Sequence, residues 1–377
     1  MKISIEYCKL CLENTLRPNT KFYKGICPAC NYLSSIKNIN WSQRYDVLLS
    51  LIKKYRNKKN QFDCIVGVSG GKDSTRQALW IKEKLGLRPL LVSLTYPPEQ
   101  VSERGVNNIS NLINLGFDMV ISAPAPLTWR NLLKESFLKF TNWAKSTELA
   151  LFSSVPQVAI KYGINLIFWG ENPGLQVGDM ASSSKNQYDG KNLRNLNTLS
   201  GGSGAWIEKK KYKDFQLIPY SYPDQNDFKT NKIKIIYLGW FLGDWSLSNN
   251  AMRSISYGLK IRENKFKNYG DLLGISSLDE DWVTINQLIK YYKYGFGRAS
   301  EYMNDEIRLS RIIRDKAAKI AAKYDGKFSK KIILDFCNYI NITEDKFWKV
   351  VKKNLNKNIF KIENNKIIPK FITGKNY

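Results

Sequence analysis

Between residues 61 and 172 short apolar runs alternate with amphipathic segments. "FDCIVGVS", "RPLLVSLTYP", "FDMVISAP" and "NLIFWGEN" read as strands. Between them, "KDSTRQALWIKEKLG" and "SERGVNNISNLINLG" carry apolar residues at helical spacing, and a long helical stretch over about 129–162 precedes the fourth strand. Strands alternating with helices predict an α/β fold with a parallel sheet and helices on both faces, joined by right-handed crossovers.

The flanks read differently. "WSQRYDVLLSLIKKYRNKK", residues 41–59, predicts a linking helix with a basic tail. Residues 181–226 are rich in Ser, Gly, Asn and Lys and are expected to form a substrate lid or loop rather than packed core, or an inert insertion. After "IKIIYLGWFLGDW" the pattern is helical to about residue 355, without further strand alternation. The expected organisation is a module over 1–40, a linker helix over 41–60, an α/β domain over 61–245 and a helical C-terminal region over 246–377.

Composition narrows the chemistry. The 377 residues contain no histidine, which excludes His-based triads, Cys-His glutaminase chemistry and His ligation of metals. Any general base is then Asp, Glu, Lys, Tyr or water. The formal net charge of +26 would attract polyanions such as nucleic acid, anionic lipid or phosphate-bearing substrates, or it reflects solvated surface lysines. No apolar run approaches the roughly 20 residues of a membrane span, and "MKISIEYCKLC" lacks a signal-peptide core, so a cytoplasmic protein is expected.

Four of the six cysteines form two pairs, Cys8-x-x-Cys11 and Cys27-x-x-Cys30, with fifteen residues between the pairs. This is the two-knuckle zinc spacing: each pair aims two thiolates from one turn at a common centre. Four sulfur ligands leave no open position, so the expected zinc is structural. Cys64 and Cys337 remain, both in apolar surroundings that suggest buried, inert thiols.

"SGGKDS", residues 69–74, joins the first strand to a helix. Gly70 and Gly71 allow positive φ and close approach of the backbone to an anion. Unpaired N–H groups of the helix start, the Ser69 and Ser74 hydroxyls and the Lys72 charge then suit a phosphate, most readily a pyrophosphate. It is not a Walker loop, because Asp73 follows the lysine and Val66 stands where the first glycine would be.

The "SGGKDS" turn resembles the signature of the PP-loop ATP pyrophosphatases, enzymes that cleave ATP between its α and β phosphates. The chain as a whole resembles the N-acetyl sugar amidotransferases of surface-polysaccharide and pseudaminic-acid biosynthesis. The resemblance is carried by "YCKLC…RPNTKFYKGICPACNY", "DCIVGVSGGKDS", "LIFWGENP", "YYKYGFGRASEYMNDEIRLSRIIRDKA", "YDGK" and "DFCNYINITEDKFW".

That resemblance implies conversion of the acetamido group of a nucleotide-linked sugar to an acetamidino group through an O-adenylyl imidate. ATP would be consumed, and ammonia supplied by a glutaminase subunit with a barrel-shaped partner resembling histidine-biosynthesis proteins. It implies that Ser69, Gly70, Gly71, Lys72, Asp73 and Ser74 hold the pyrophosphate, with Lys72 and Asp73 catalytic and Asp73 helping to position Mg2+. Gly170, Glu171 and Asn172, closing the fourth strand, should face the crevice. Glu171 could bind Mg2+, orient the amide, accept a proton or merely cap, and Asn172 could contact the acetamido group or stabilise its loop. Arg298, in "YGFGRAS", is the candidate grip on a substrate phosphate or carboxylate. A tRNA-modifying enzyme of the same superfamily is the alternative, with charge and zinc module serving RNA; the shortage of spare cysteines and the C-terminal segments weigh against it.

Overall fold

The computed structural model describes residues 5–170, 173, 178–262 and 269–376. Chain entry is a pair of knuckles followed by helices α1 (Pro28–Ile36) and α2 (Trp41–Tyr55). Cys27 starts α1, its sulfur accepting from the Cys30 amide, and Pro28 occupies the first turn, where its missing N–H costs nothing. The linking helix α2 lies where the sequence pattern puts it, capped by the Asn40 side chain and ending in Lys53 and Lys54.

The α/β alternation follows: β1 (Cys64–Val68), α3 (Lys72–Leu85), β2 (Pro89–Leu94), α4 (Glu103–Asn114), β3 (Met119–Ser122), α5 (Pro126–Phe140), α6 (Ala144–Tyr162), β4 (Leu166–Trp169) and β5 (Lys234–Tyr237). The five strands make one sheet, in the order β3-β2-β1-β4-β5, with every pairing parallel. Val66 stands against Leu91 on one side and Phe168 on the other, so the central strand is apolar throughout. One face packs Leu48, Ala78, Ile81 and Leu112 from α2, α3 and α4; the other packs Val155 and Ala159 from α6. The order reverses between β1 and β4, and such a switch point opens a crevice beyond the strands' carboxyl ends.

The helical stretch expected over 129–162 is two helices. Thr141 takes a left-handed φ of 48° and closes α5, its amide donating to the Phe137 carbonyl. Residues 181–226 are also more ordered than a lid. They form short 3-10 turns and helical turns that send Leu199, Trp206, Ile207 and Tyr220 into the largest apolar core and Leu193 into the core beneath α6.

The C-terminal region holds α7 (Leu247–Ile255), α8 (Val283–Tyr294), α9 (Arg298–Arg308), α10 (Arg314–Tyr324), α11 (Lys330–Tyr339) and α12 (Glu344–Lys353), then an antiparallel hairpin of β6 (Phe360–Glu363) and β7 (Lys366–Pro369). Phe137 of α5 stacks on Phe347 and meets Phe336 edge-on, with centroids 5.2 and 5.4 Å away, so these helices share a core with the α/β part. No helix among the described residues is long and apolar enough to cross a membrane.

Candidate functional site

A cavity of about 720 Å3 opens at the switch point, with Ser69, Gly71, Lys72, Asp73 and Ser74 on one wall and Gly170 beside them. Helix α3 begins at Gly71, which makes no side-chain capping bond. Its first amides are therefore available to an anion, and the helix dipole favours one. Gly70 lies behind this surface with φ of 71°; a Cβ there would come within 3.0 Å of Asn108 Cβ and 3.3 Å of the Ile109 amide. The turn thus needs glycine both for its backbone angle and for its closeness to α4.

Lys72 is buried, and its Nζ lies 2.6 Å from Asp73 Oδ2. Asp73 Oδ1 accepts from the Asn250 side chain, and the Ser254 hydroxyl donates to the Lys72 carbonyl at 2.6 Å. Both partners come from α7. The same Asn250 accepts from Arg76 on α3, and Arg76 pairs with Asp244. Burial raises the Asp244 carboxyl, but the Arg76 and Arg253 guanidiniums together outweigh it and hold Asp244 below the ordinary carboxylate range. The loop is thereby clamped from the C-terminal side by residues that short-range sequence patterns do not single out.

The cavity's other walls come from the C-terminal helices and the N-terminal knuckles. Helix α9 starts at Gly297, and Asp325 caps it. The Asp325 carboxylate accepts from the amides of Gly297, Ala299 and Ser300 at 2.9, 2.9 and 3.2 Å and from the Ser300 hydroxyl. "YGFGRAS" and "YDGK" therefore form one capping unit. It directs Arg298 to the cavity, where its Nη1 lies 3.0 Å from Glu301 Oε2. Glu301 Oε1 also meets Lys290 Nζ at 2.8 Å and Arg17 Nη2 at 3.1 Å.

Buried acids mark the rest of the surface. Burial pushes the carboxyls of Glu148, Asp279 and Asp305 up from ordinary values. Glu148 accepts from the Thr198 hydroxyl, whereas the buried Asp305 Oδ2 has no hydrogen-bond partner among the described residues. In a chain without histidine, such carboxyls are groups able to exchange protons closer to neutral pH.

The four knuckle cysteines converge, their sulfurs all within 4.8 Å of one another and buried. Cys11 and Cys27 Sγ are 3.7 Å apart, against about 3.8 Å for thiolates at ~2.3 Å from one tetrahedral zinc. The donor set fits structural zinc. Arg308 of α9 directs Nη2 at Cys11 and Cys27 Sγ, at 3.6 and 3.7 Å, and Arg314 donates to the Cys8 and Cys11 carbonyls. Cys64 and Cys337 are buried in apolar cores, as their sequence surroundings suggest.

Of the residues singled out from sequence, the structure brings the Ser69–Ser74 turn, Gly170 and Arg298 to one cavity and the four cysteines to one cluster. Glu171 and Asn172 lie outside the described residues. Asn250, Asp305, Glu148, Arg17 and Lys290 were not anticipated. Charge at helical spacing could only have flagged Lys290 and Glu301 as solvated faces.

Residues 263–372, running through α8 to β7, match the family described as LPS biosynthesis protein WbpG-like, C-terminal domain. The C-terminal segment is WbpG-like. The match supports the N-acetyl sugar amidotransferase family that the sequence segments pointed to, and it lies wholly outside the Ser69–Ser74 turn. No curated protein matches the chain. The WbpG-like segment supplies the Arg298, Glu301, Asp305 and Lys290 side of the cavity, so that segment and the Ser69–Ser74 turn face one space.

Proposed function

We propose that the protein is an ATP-dependent amidotransferase that converts the acetamido group of a nucleotide-linked sugar to an acetamidino group. One observation carries the reading: the uncapped glycine turn and the WbpG-like segment line the same cavity. ATP would place its β and γ phosphates on the amides and hydroxyls of Ser69–Ser74, with Lys72 supplying the point charge. The uncapped helix start, the positive φ of Gly70 and the inward Lys72 fit this group.

Adenylation answers a chemical difficulty. An amide carbonyl is resonance-stabilised and its oxygen leaves poorly, whereas AMP leaves readily. The acetamido oxygen attacks the α phosphorus, and pyrophosphate departs into the turn. Ammonia then adds to the carbon of the O-adenylyl imidate, gives up a proton and expels AMP. The amidine product takes a proton and becomes cationic.

Asp73 and Asp305, both in the cavity wall, are our candidates to hold Mg2+, whose bound charge would offset that of the phosphates. Glu148 and Asp279, with carboxyls raised by burial, are the groups suited to accept the proton of the attacking nitrogen. Free ammonia would come from a separate glutaminase and a barrel-shaped partner, since a chain without histidine cannot build a Cys-His glutaminase.

The test is product stoichiometry. Purified protein with ATP, Mg2+, an ammonium salt and a UDP-linked or CMP-linked diacetamido sugar should form AMP and pyrophosphate in equal amounts, only when sugar and ammonium are both present. ADP formation, or AMP formation indifferent to ammonium, would defeat the scheme.

A further inference from the structure

The turn between α5 and α6 forms a second wall of the cavity, through Thr141, Asn142, Trp143 and Thr147. Helix α6 runs from there to Val155, which packs on Gly67 of β1, a rise of about 16 Å from Ala144. That rise sets the wall apart from β1 and the glycine turn it leads into. Lys293 of α8 holds the wall in place, its ammonium donating to the Phe140 and Thr141 carbonyls at 2.6 and 3.2 Å.

Each of the four residues carries a buried side-chain atom with no hydrogen-bond partner among the described residues: the Thr141 and Thr147 hydroxyls, Asn142 Oδ1 and Trp143 Nε1. Gln287 Oε1 of α8, in the same cavity wall, is another. Thr141, Trp143 and Thr147 are only 0%, 3% and 4% exposed, so bulk water does not solvate these groups. Neighbouring polar side chains that do not line the cavity are satisfied. The Ser136 and Ser146 hydroxyls bond each other and the Trp143 carbonyl, and Lys145 donates to the Thr198 carbonyl and the Ser200 hydroxyl.

A buried polar group without a partner is destabilising, and a ligand that supplies the partner relieves this. Thr141 adds strain at the same place, since its φ of 48° is a left-handed conformation where glycine or asparagine is usual. The unpartnered set is uncharged and mixes its roles: the indole N–H donates, the amide oxygens accept and the hydroxyls do both. Such a set suits a ring bearing hydroxyl and acetamido groups rather than a phosphate.

We propose that Thr141, Asn142, Trp143, Thr147 and Gln287 form the subsite for the sugar ring of the acceptor, while ATP occupies the glycine turn. The identity of the ligand rests on the amidotransferase reading. Glu148, the residue after Thr147, then stands beside the sugar, where that reading needs a proton acceptor.

Calorimetric titration of the full chain, with a non-hydrolysable ATP analogue present, tests this without requiring turnover. UDP-linked and CMP-linked diacetamido sugars are the probes, and UDP and CMP the controls. One sugar nucleotide should bind more tightly than its free nucleotide. Thr147→Val keeps the shape of the side chain and removes the hydroxyl, and Trp143→Phe removes the indole N–H. Each should weaken the sugar nucleotide by about threefold to tenfold, the worth of one hydrogen bond, without changing affinity for the free nucleotide. Because the Thr147 hydroxyl has no partner to lose, Thr147→Val should keep or raise the melting temperature of the free protein.

If neither sugar nucleotide binds more tightly than its nucleotide, if either folded variant binds it as tightly as wild type, or if Thr147→Val melts lower, the proposal is overturned. Sugar-selective binding that the variants weaken, without AMP formation, would leave the subsite standing and sink the amidotransferase reading. Ammonium-dependent AMP formation with both variants at wild-type sugar affinity would do the reverse.

Discussion

The Asn250 side chain donates to Asp73 and accepts from Arg76, so one amide from α7 ties together the glycine turn and the helix that follows it. Both of its partners are charged and sit in low-dielectric surroundings. Asn250→Ala should therefore leave two charged groups short of a partner. We expect a stability loss of about 1–3 kcal/mol by urea denaturation, and ATP-dependent turnover reduced by roughly tenfold to a hundredfold as the turn loses register. Turnover equal to wild type would show that the clamp is dispensable.

Lys72→Ala and Asp73→Ala should abolish AMP formation while leaving far-ultraviolet circular dichroism unchanged. Gly70→Ala acts by a different route. Its φ of 71° and the 3.0 Å approach to Asn108 predict strain of about 1–3 kcal/mol, read as a lowered melting temperature together with weaker ATP binding. An unaltered melting temperature would mean that the turn relaxes freely.

The sequence announced the parts of this site that are local. "CIVGVSGGKDS" is a strand, a turn and a helix start within eleven residues, and the paired cysteines advertise a common ligand by spacing alone. What joins these parts is long-range: Asp73 to Asn250, Leu12 to Asn304, Glu301 to Arg17. Such pairings leave no periodic trace, so "YGFGRAS" and "YDGK" could be recognised as segments but not seen to cap one helix. Helix α1 was hidden by the cysteines that begin it, and the β6–β7 hairpin by its short, mostly exposed strands. The 181–226 segment misled because composition counts its many polar residues, whereas Trp206 and Tyr220 decide where it packs.

Purified protein should contain stoichiometric zinc by elemental analysis. Cys27→Ser should lose it and lower the melting temperature. Metal-free protein with unchanged stability would refute the zinc assignment.

Lys290 and Lys293 give a pH signature in stability. Burial lowers both to about 8 from an unfolded value of 10.5. Between those values the unfolded chain holds more protons, so these two groups make stability rise with pH across the window. Urea denaturation at about pH 8 and about pH 10 should show a smaller rise in Lys290→Met than in wild type; an equal rise would mean that Lys290 keeps its ordinary proton affinity in the folded protein.

In the proposed reaction the sugar's acetamido oxygen attacks the α phosphorus of ATP. A UDP-linked or CMP-linked diacetamido sugar carrying heavy oxygen in that carbonyl, turned over with ATP, Mg2+ and ammonium, should deliver the label to AMP, as read by mass spectrometry. Label found in pyrophosphate or water, or retained on the nitrogen-containing sugar product, would rule that attack out.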